Sequence, residues 1–210
     1  MLSKVQNRII EACKRANRDP KEVKLVVVSK NHSTEEIEEY VLNQGHRILG
    51  ENRIQEWRSK QNLENIEWHM IGSLQRNKVK YCLPFHTIHS VNSERLAREL
   101  DKFAKKHNHT FRILIEVNTS AEESKQGLEI SELDGLVEIC RKLDNLELAG
   151  LMTMAPFSDK AEDSRPYFAK LRQLRDKLGL GELSMGMSGD FEVAIEEGAT
   201  IVRVGSAVFS

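Results

Sequence analysis

The chain is poor in cysteine, and the cysteines it has follow no pattern. Cys13, Cys82 and Cys140 are odd in number, far apart and form no Cys-x-x-Cys pair. That argues against a disulfide framework and against structural zinc. Neither sign of charge is in excess: 31 basic residues face 32 acidic ones, a net charge of −1. General attraction to nucleic acid or to an anionic membrane is therefore not expected. No apolar run approaches the roughly 18 residues of a membrane span. Met1-Leu2-Ser3-Lys4 alternates apolar and polar and lacks the core of a signal peptide. Linkers and low-complexity segments are missing too. With 210 residues, 40% of them hydrophobic, one sizeable core can be buried without a second domain. The expectation is a cytoplasmic protein in which residues 1–210 form one domain.

What is present is organised around Leu25-Val26-Val27-Val28-Ser29-Lys30. An apolar run rich in β-branched residues reads as a strand covered on both faces. The capping box Ser33-Thr34-Glu35-Glu36 follows, with Ile37, Tyr40 and Val41 at helical spacing until Gly45. Lys30 thus sits where a strand stops and a loop begins. An amphipathic helix over residues 2–17, carrying Val5, Ile9 and Ala12 or Cys13 on one face, precedes this unit and ends at Asp19-Pro20.

The same alternation repeats. Strands are predicted over 46–52, 66–72, 85–91, 111–118, 146–154, 183–187 and 200–205. Helices are predicted over 53–62, from Ser73, behind a cap at Asn92 or Ser93, behind Ser131, near Ser164 with Pro166 in its first turn, and around Ala194-Ile195. Strand–helix alternation implies parallel pairing. A doubly wound open sheet is the competitor, but eight units in so short a chain favour a single (β/α)8 TIM barrel with an extra N-terminal helix.

In such a barrel the C-terminal strand ends converge on the functional face. Those ends offer Lys30, Glu51-Asn52, His69 with Gly72-Ser73, Ser90, Asn118-Thr119, Met152-Thr153, Ser188-Gly189-Asp190 and Arg203 with Gly205-Ser206. The paired carboxylates of a glycosidase and a clustered metal-ligand set are both lacking. His69, between Trp68 and Met70, reads as structural, and His107 and His109 as surface residues. Two ends suit a phosphate: Ser188 and Gly189 stand before a helix and offer backbone N–H groups, and Gly205 permits close backbone approach. A phosphate seat after strands 7 and 8, facing a strand-end lysine, would hold pyridoxal 5′-phosphate. The lysine would form a Schiff base with its aldehyde.

Ordered motifs along nearly the whole chain carry a family resemblance. They are Val27-Val28-Ser29-Lys30, Gly50-Glu51-Asn52, Trp68-His69-Met70-Ile71-Gly72, Leu74-Gln75-Arg76-Asn77-Lys78, Val117-Asn118-Thr119-Ser120 with Glu123-Ser124-Lys125, Gly150-Leu151-Met152-Thr153-Met154, Arg165-Pro166-Tyr167-Phe168, Leu183 through Phe191, and Val202-Arg203-Val204-Gly205. The chain resembles the pyridoxal phosphate homeostasis proteins, whose barrel is similar to the N-terminal domain of alanine racemase. The resemblance implies that Lys30 carries the Schiff base and that Asn52 approaches the ring edge near the phenolic oxygen. Ser188, Gly189, Gly205 and Ser206 would hold the phosphate, and Arg203 would face the pyridine nitrogen. An arginine there keeps that nitrogen unprotonated and weakens the electron sink.

The resemblance further implies a non-catalytic carrier of pyridoxal phosphate, with pyridoxal-phosphate-dependent apoenzymes as possible recipients, no metal, and a monomeric state. The alternative is an amino-acid racemase-type enzyme. Such an enzyme needs a second acid/base at the cofactor face; Tyr40, Tyr81 and Tyr167 all fall on predicted helices, and the chain leaves no room after Ser210 for a further domain to supply one. Two departures stand out. Asn31-His32-Ser33 follows the lysine where the family has threonine with a further lysine or a proline-containing segment. The chain also stops at Phe209-Ser210, which leaves residues 2–17 to cover more of the barrel.

Overall fold

The apolar run ahead of Lys30 forms strand β1 (Lys24–Val28), buried along its length except at Lys24. It pairs in parallel with both the second and the last strand, so the sheet has no free edge there. The computed structural model describes residues 1–120 and 126–209; the Glu123-Ser124-Lys125 motif and Ser210 lie outside the described residues. Strands β2 (Ile48–Glu51), β3 (Glu67–Met70), β4 (Phe85–Val91), β5 (Phe111–Glu116), β6 (Leu146–Met152), β7 (Glu182–Ser184) and β8 (Ile201–Val204) follow in order and close with β1 into one barrel. Strand–helix alternation has produced a (β/α)8 TIM barrel.

Helix α1 (Leu2–Arg15) precedes the barrel, and α2 (Thr34–Tyr40), α3 (Ile54–Arg58), α4 (Glu94–Lys106), α5 (Ile130–Arg141), α6 (Arg165–Leu178), α7 (Phe191–Glu196) and α8 (Ser206–Phe209) follow the strands. Between β3 and β4 a short 3-10 helix, Arg76–Tyr81, takes the place of an α-helix. The predicted capping box is formed: the Glu36 N–H donates to Ser33 Oγ at 3.2 Å and the Ser33 N–H to the Glu36 carboxylate at 2.8 Å. Ser93, not Asn92, caps α4.

Other boundaries differ from the sequence reading for identifiable reasons. Ser131 does not cap α5; Glu129 occupies that position. Leu128 is pinned to the end of β5, accepting from the Asn118 N–H and donating to the Glu116 carbonyl, so the helix must start directly after it. Helix α3 stops at Arg58, short of residue 62, because the chain turns there and Lys60 reaches back into the core. Strand β7 ends at Ser184 rather than Met187. Gly186 turns the chain in a left-handed conformation (φ 93°), and a Cβ there would stand 2.6 Å from that of Ala194.

Two apolar clusters result. The larger lies between strands and helices, and the smaller, Val26, Leu114, Met152 and Ile201, fills part of the barrel interior. Helix α1 buries Leu2, Val5, Ile9, Ala12 and Cys13 and packs mainly on α7 and α8. Its flank is tied down by Arg8 to Glu192, Arg15 to Glu196, and Arg18 to the carbonyls of Ile195 and Ala199 at 2.8 Å each. The last helix closes the barrel through Val208, which is fully buried, and through Phe209, whose ring stacks on His32 at 3.8 Å. The departure at His32 thus has a packing role. No helix among the described residues is long and apolar enough to cross a membrane.

Candidate cofactor-binding site

Lys30 is presented by a tight reversal at the end of β1. Asn31 adopts a left-handed conformation (φ 65°), which asparagine tolerates better than most residues, and the His32 N–H donates to the Ser29 carbonyl at 3.2 Å. The exposed Lys30 side chain lines a cavity of about 340 Å³ together with Asn52, Glu116, Met187 and Arg203. No hydrogen bond or ion pair holds its amine among the described residues. A neighbouring cavity of about 490 Å³ shares Asn52, Arg53 and Ser73 with it.

The backbone under Lys30 is fixed by a buried ionic network. Lys60 Nζ donates to Glu51 Oε1 at 2.6 Å and to the Ser29 carbonyl at 2.7 Å, and Ser29 Oγ donates to the same Glu51 oxygen at 2.7 Å. Burial raises the Glu51 carboxyl above its ordinary pKa, and the bonds from Lys60 and Ser29 oppose that. Sequence reading picked out Glu51 and missed Lys60. Its one signal was position: Trp57, Lys60 and Leu63 share helical spacing, which puts a lysine on an apolar stripe.

Arg203 forms the floor. It is 3% exposed; its Nη1 donates to Ser184 Oγ at 2.6 Å and its Nη2 to the Thr153 carbonyl at 3.0 Å. Burial lowers its pKa to about 10, against the pull of Glu116 and Asp190, so the guanidinium stays cationic at neutral pH. Glu116 lines the same cavity. Burial pushes its carboxyl up, with Arg203 opposing, and its Oε2 has no hydrogen-bond partner among the described residues. Nothing at the level of sequence distinguished this glutamate from other strand residues.

The loops after β7 and β8 come together beside that cavity without lining it, except at Met187. Asp190 organises the first: its Oδ1 accepts from the Met187 N–H at 2.7 Å and its Oδ2 from Ser164 Oγ at 3.0 Å. The N–H groups of Ser188 and Gly189 reach no protein acceptor among the described residues, and a Cβ on Gly189 would meet nothing within 4 Å. Gly205 in the second loop is tight, since a Cβ would lie 3.1 Å from the Val28 carbonyl oxygen. The Ala207 N–H donates to Ser188 Oγ at 3.5 Å and joins the two loops; Ser206 opens α8 and is exposed. Arg165 holds α7 in place through Glu196 and Glu197 at 2.7 and 3.0 Å. Of the residues singled out from sequence, then, Lys30, Asn52 and Arg203 share one cavity, while Ser188, Gly189, Gly205 and Ser206 form its neighbouring rim. Tyr40, Tyr81 and Tyr167 lie on helices.

The N-terminal end of the barrel carries the carboxylate–histidine grouping that the C-terminal strand ends lack. His69 Nε2 lies 2.9 Å from Glu67 Oε1, and His86 Nδ1 lies 3.7 Å from it. Lys24 Nζ already donates to that oxygen at 2.7 Å, so the carboxylate is charge-satisfied by the protein itself.

The arrangement is a barrel with a strand-end lysine that is unpaired among the described residues, an arginine floor and a rim of backbone N–H groups. A family model for the alanine racemase N-terminal domain matches residues 2–210. The chain is 48% identical to the pyridoxal phosphate homeostasis protein of Aquifex aeolicus, across 99% of this chain and 95% of that one. It is 40% identical to the protein of the same name from Deinococcus radiodurans, across 96% of each. The structure of PipY from Synechococcus elongatus with pyridoxal phosphate bound superposes with a TM-score of 0.81 at 34% identity, covering 98% of this chain and 100% of that one. Alanine racemase of Clostridium difficile, at 14% identity and a TM-score of 0.72 over 55% of its length, shares the fold. The chain belongs to the pyridoxal phosphate homeostasis protein family.

Proposed function

We propose that this protein binds pyridoxal 5′-phosphate without catalysing a reaction on it and serves the intracellular homeostasis of that cofactor. The observation that carries the reading is the shared cavity of Lys30 and Arg203 beside a rim whose Ser188 and Gly189 N–H groups are unbonded among the described residues. Pyridoxal phosphate supplies an aldehyde that takes up a lysine amine as a Schiff base, and a phosphate that can anchor it while that bond exchanges. The residues present fit such a group: among the described residues there are an amine without a protein partner, a carboxylate oxygen without a donor, and two N–H groups without an acceptor.

In this reading Lys30 is the attachment point and Asn52 contacts the ring edge. Ser188, Gly189, Gly205 and Ser206 receive the phosphate, the backbone N–H groups acting as fixed partial charges. Arg203 faces the ring nitrogen. A buried cation there opposes protonation of the nitrogen, and carbanion stabilisation weakens accordingly. Apoenzymes that need pyridoxal phosphate are the recipients this reading implies, and the protein acts as a cytoplasmic monomer.

A second reading, an amino-acid racemase-type enzyme, is favoured by one observation. Glu116 places a carboxyl of raised pKa in the cavity with Lys30, as a second acid/base would require. One experiment separates them. Wild type and Lys30→Ala are loaded with pyridoxal phosphate, their visible spectra are recorded before and after borohydride, and each is assayed for racemisation. A band that borohydride fixes in wild type alone, with no turnover, supports the carrier. Steady racemisation that vanishes in Lys30→Ala moves the assignment to the enzyme.

A further inference from the structure

One continuous line of hydrogen bonds crosses the barrel interior from its N-terminal mouth to Arg203. Arg203 Nη1 meets Ser184 Oγ at 2.6 Å, Ser184 Oγ meets His89 Nδ1 at 2.9 Å, His89 Nε2 meets His69 Nδ1 at 2.8 Å, and His69 Nε2 meets Glu67 Oε1 at 2.9 Å. Ser184, His89 and His69 are all 0% exposed. They occupy interior positions that branched aliphatic residues usually fill in this fold, while Val26, Leu114, Met152 and Ile201 fill the rest.

The direction of every bond in this line is determined. The Arg203 guanidinium can only donate and the Glu67 carboxylate can only accept, so with both buried rings neutral Ser184 Oγ accepts from Arg203 and gives its own proton to His89 Nδ1. His89 then carries its proton on Nε2 and donates to His69 Nδ1. His69 in turn carries its proton on Nε2 and donates to the Glu67 carboxylate, which Lys24 also holds at 2.7 Å. Both rings are neutral. A second proton on His89 would displace the bond it accepts from Ser184 and would set a buried cation close to Arg203. Reversal would need a protonated Glu67, and the bonds from His69 and Lys24 hold that carboxyl down to about 2, so at neutral pH the line keeps this one direction.

We propose that His69, His89 and Ser184 are positioning residues that lock the Arg203 guanidinium in one orientation and link it to the Lys24–Glu67 pair at the opposite mouth. The consequence for the cofactor rests on the pyridoxal phosphate reading, because Arg203 acts on the ring nitrogen only if the ring is there. The arrangement of the rings does not depend on that reading. The charged and titratable groups facing the line are Lys24 from β1, Glu67 from β3, His86 from β4, Glu116 from β5, Arg203 from β8 and Asp190 at the start of α7. The electrostatics agree with the geometry: burial lowers the pKa of both rings, that of His89 well below its ordinary value.

The test has two arms. In cofactor-free, ¹⁵N-labelled protein, long-range ¹H–¹⁵N correlation spectra should show His69 and His89 as neutral Nε2–H tautomers at pH 7. An Nδ1–H tautomer or a cationic ring at either position overturns the proposal. In the second arm pyridoxal phosphate is titrated into wild type, Ser184→Ala, His89→Leu and His89→Gln, followed by the visible band and its pH midpoint. Ser184→Ala and His89→Leu should weaken binding about tenfold and move the midpoint. His89→Gln, which can still accept at one end and donate at the other, should recover most of the loss. Unchanged affinity and midpoint in the folded Ser184→Ala protein overturn the proposal. Wild type that takes up no pyridoxal phosphate overturns the function reading, and the tautomers then decide the hydrogen-bond line alone.

Discussion

The two ends of this barrel are built from the same kinds of residue and treat them oppositely. At the N-terminal mouth the charges are paired: Lys24 with Glu67 at 2.7 Å, Arg112 with Glu147 and, at 3.0 Å, with Glu182, whose second oxygen alone is left without a hydrogen bond among the described residues. At the C-terminal mouth, among the described residues, Lys30 has no partner, Glu116 leaves an oxygen unbonded, and the Ser188 and Gly189 N–H groups have no acceptor. Unmatched polar groups are costly in a fold unless a ligand matches them. The contrast marks the C-terminal mouth as the end built to receive something, and it does so independently of any resemblance.

The largest way to break this contrast is to unpair what is paired beneath Lys30. Lys60→Ala strips Glu51 of its counter-ion in a fully buried setting and should cost about 3–5 kcal/mol, read by urea denaturation. Replacing the pair together, Lys60→Met with Glu51→Leu, should recover much of that stability while loosening the turn that carries Lys30. Recovery of stability together with unchanged capture of pyridoxal phosphate would show that the network supports the fold and not the site.

The next effect is at the rim. Gly205→Ala brings a Cβ to 3.1 Å from the Val28 carbonyl oxygen, whereas Gly189→Ala meets nothing within 4 Å. Thermal melts should therefore fall for Gly205→Ala and hold for Gly189→Ala, and both variants should bind pyridoxal phosphate more weakly than wild type. Undiminished affinity in Gly189→Ala would remove that residue from the phosphate seat.

Acid should separate the interior from both mouths. His69 and His89 are held below their ordinary pKa of 6.5 by burial, so below about that pH the unfolded chain binds more protons than the folded one. Stability should fall as pH drops through 6.5, and the slope should shrink in His89→Gln. Glu67 behaves differently. Its bonds from His69 and Lys24 lower its carboxyl to about 2, a contribution present above pH 4.5 and lost as pH falls toward 2. Glu67→Gln should flatten this second, more acidic limb, and should deepen the first because His69 loses the carboxylate that supports its protonated form. The smallest effect belongs to exposed pairs such as Lys177–Asp134: Lys177→Ala should change stability by less than about 0.5 kcal/mol.

Much of this was readable in the chain because the determinants are local. The β-branched run before Lys30, the Ser33 capping box and the repeated strand–helix spacing specify the barrel and place Lys30 and Arg203 at strand ends. What the chain conceals is contact across the closed barrel. The His69–His89–Ser184 line depends on register, including shifts between Trp68 and His69 and between Ile88 and Val91, which no single-strand pattern reports. Lys60 was hidden likewise, since nothing in a helix stripe says that a lysine will bend back 2.6 Å from a carboxylate on the preceding strand. Asp190 was visible as a turn residue, but its hold on Ser164 joins positions 26 residues apart.

The most direct test of the central claim is to identify the lysine that borohydride makes permanent. Wild-type protein loaded with pyridoxal phosphate is reduced, digested and mapped by mass spectrometry. The account predicts a stoichiometric pyridoxyl adduct on Lys30, lost in Lys30→Ala with the fold intact by circular dichroism. Scattered labelling of surface lysines that Lys30→Ala leaves unchanged would contradict it.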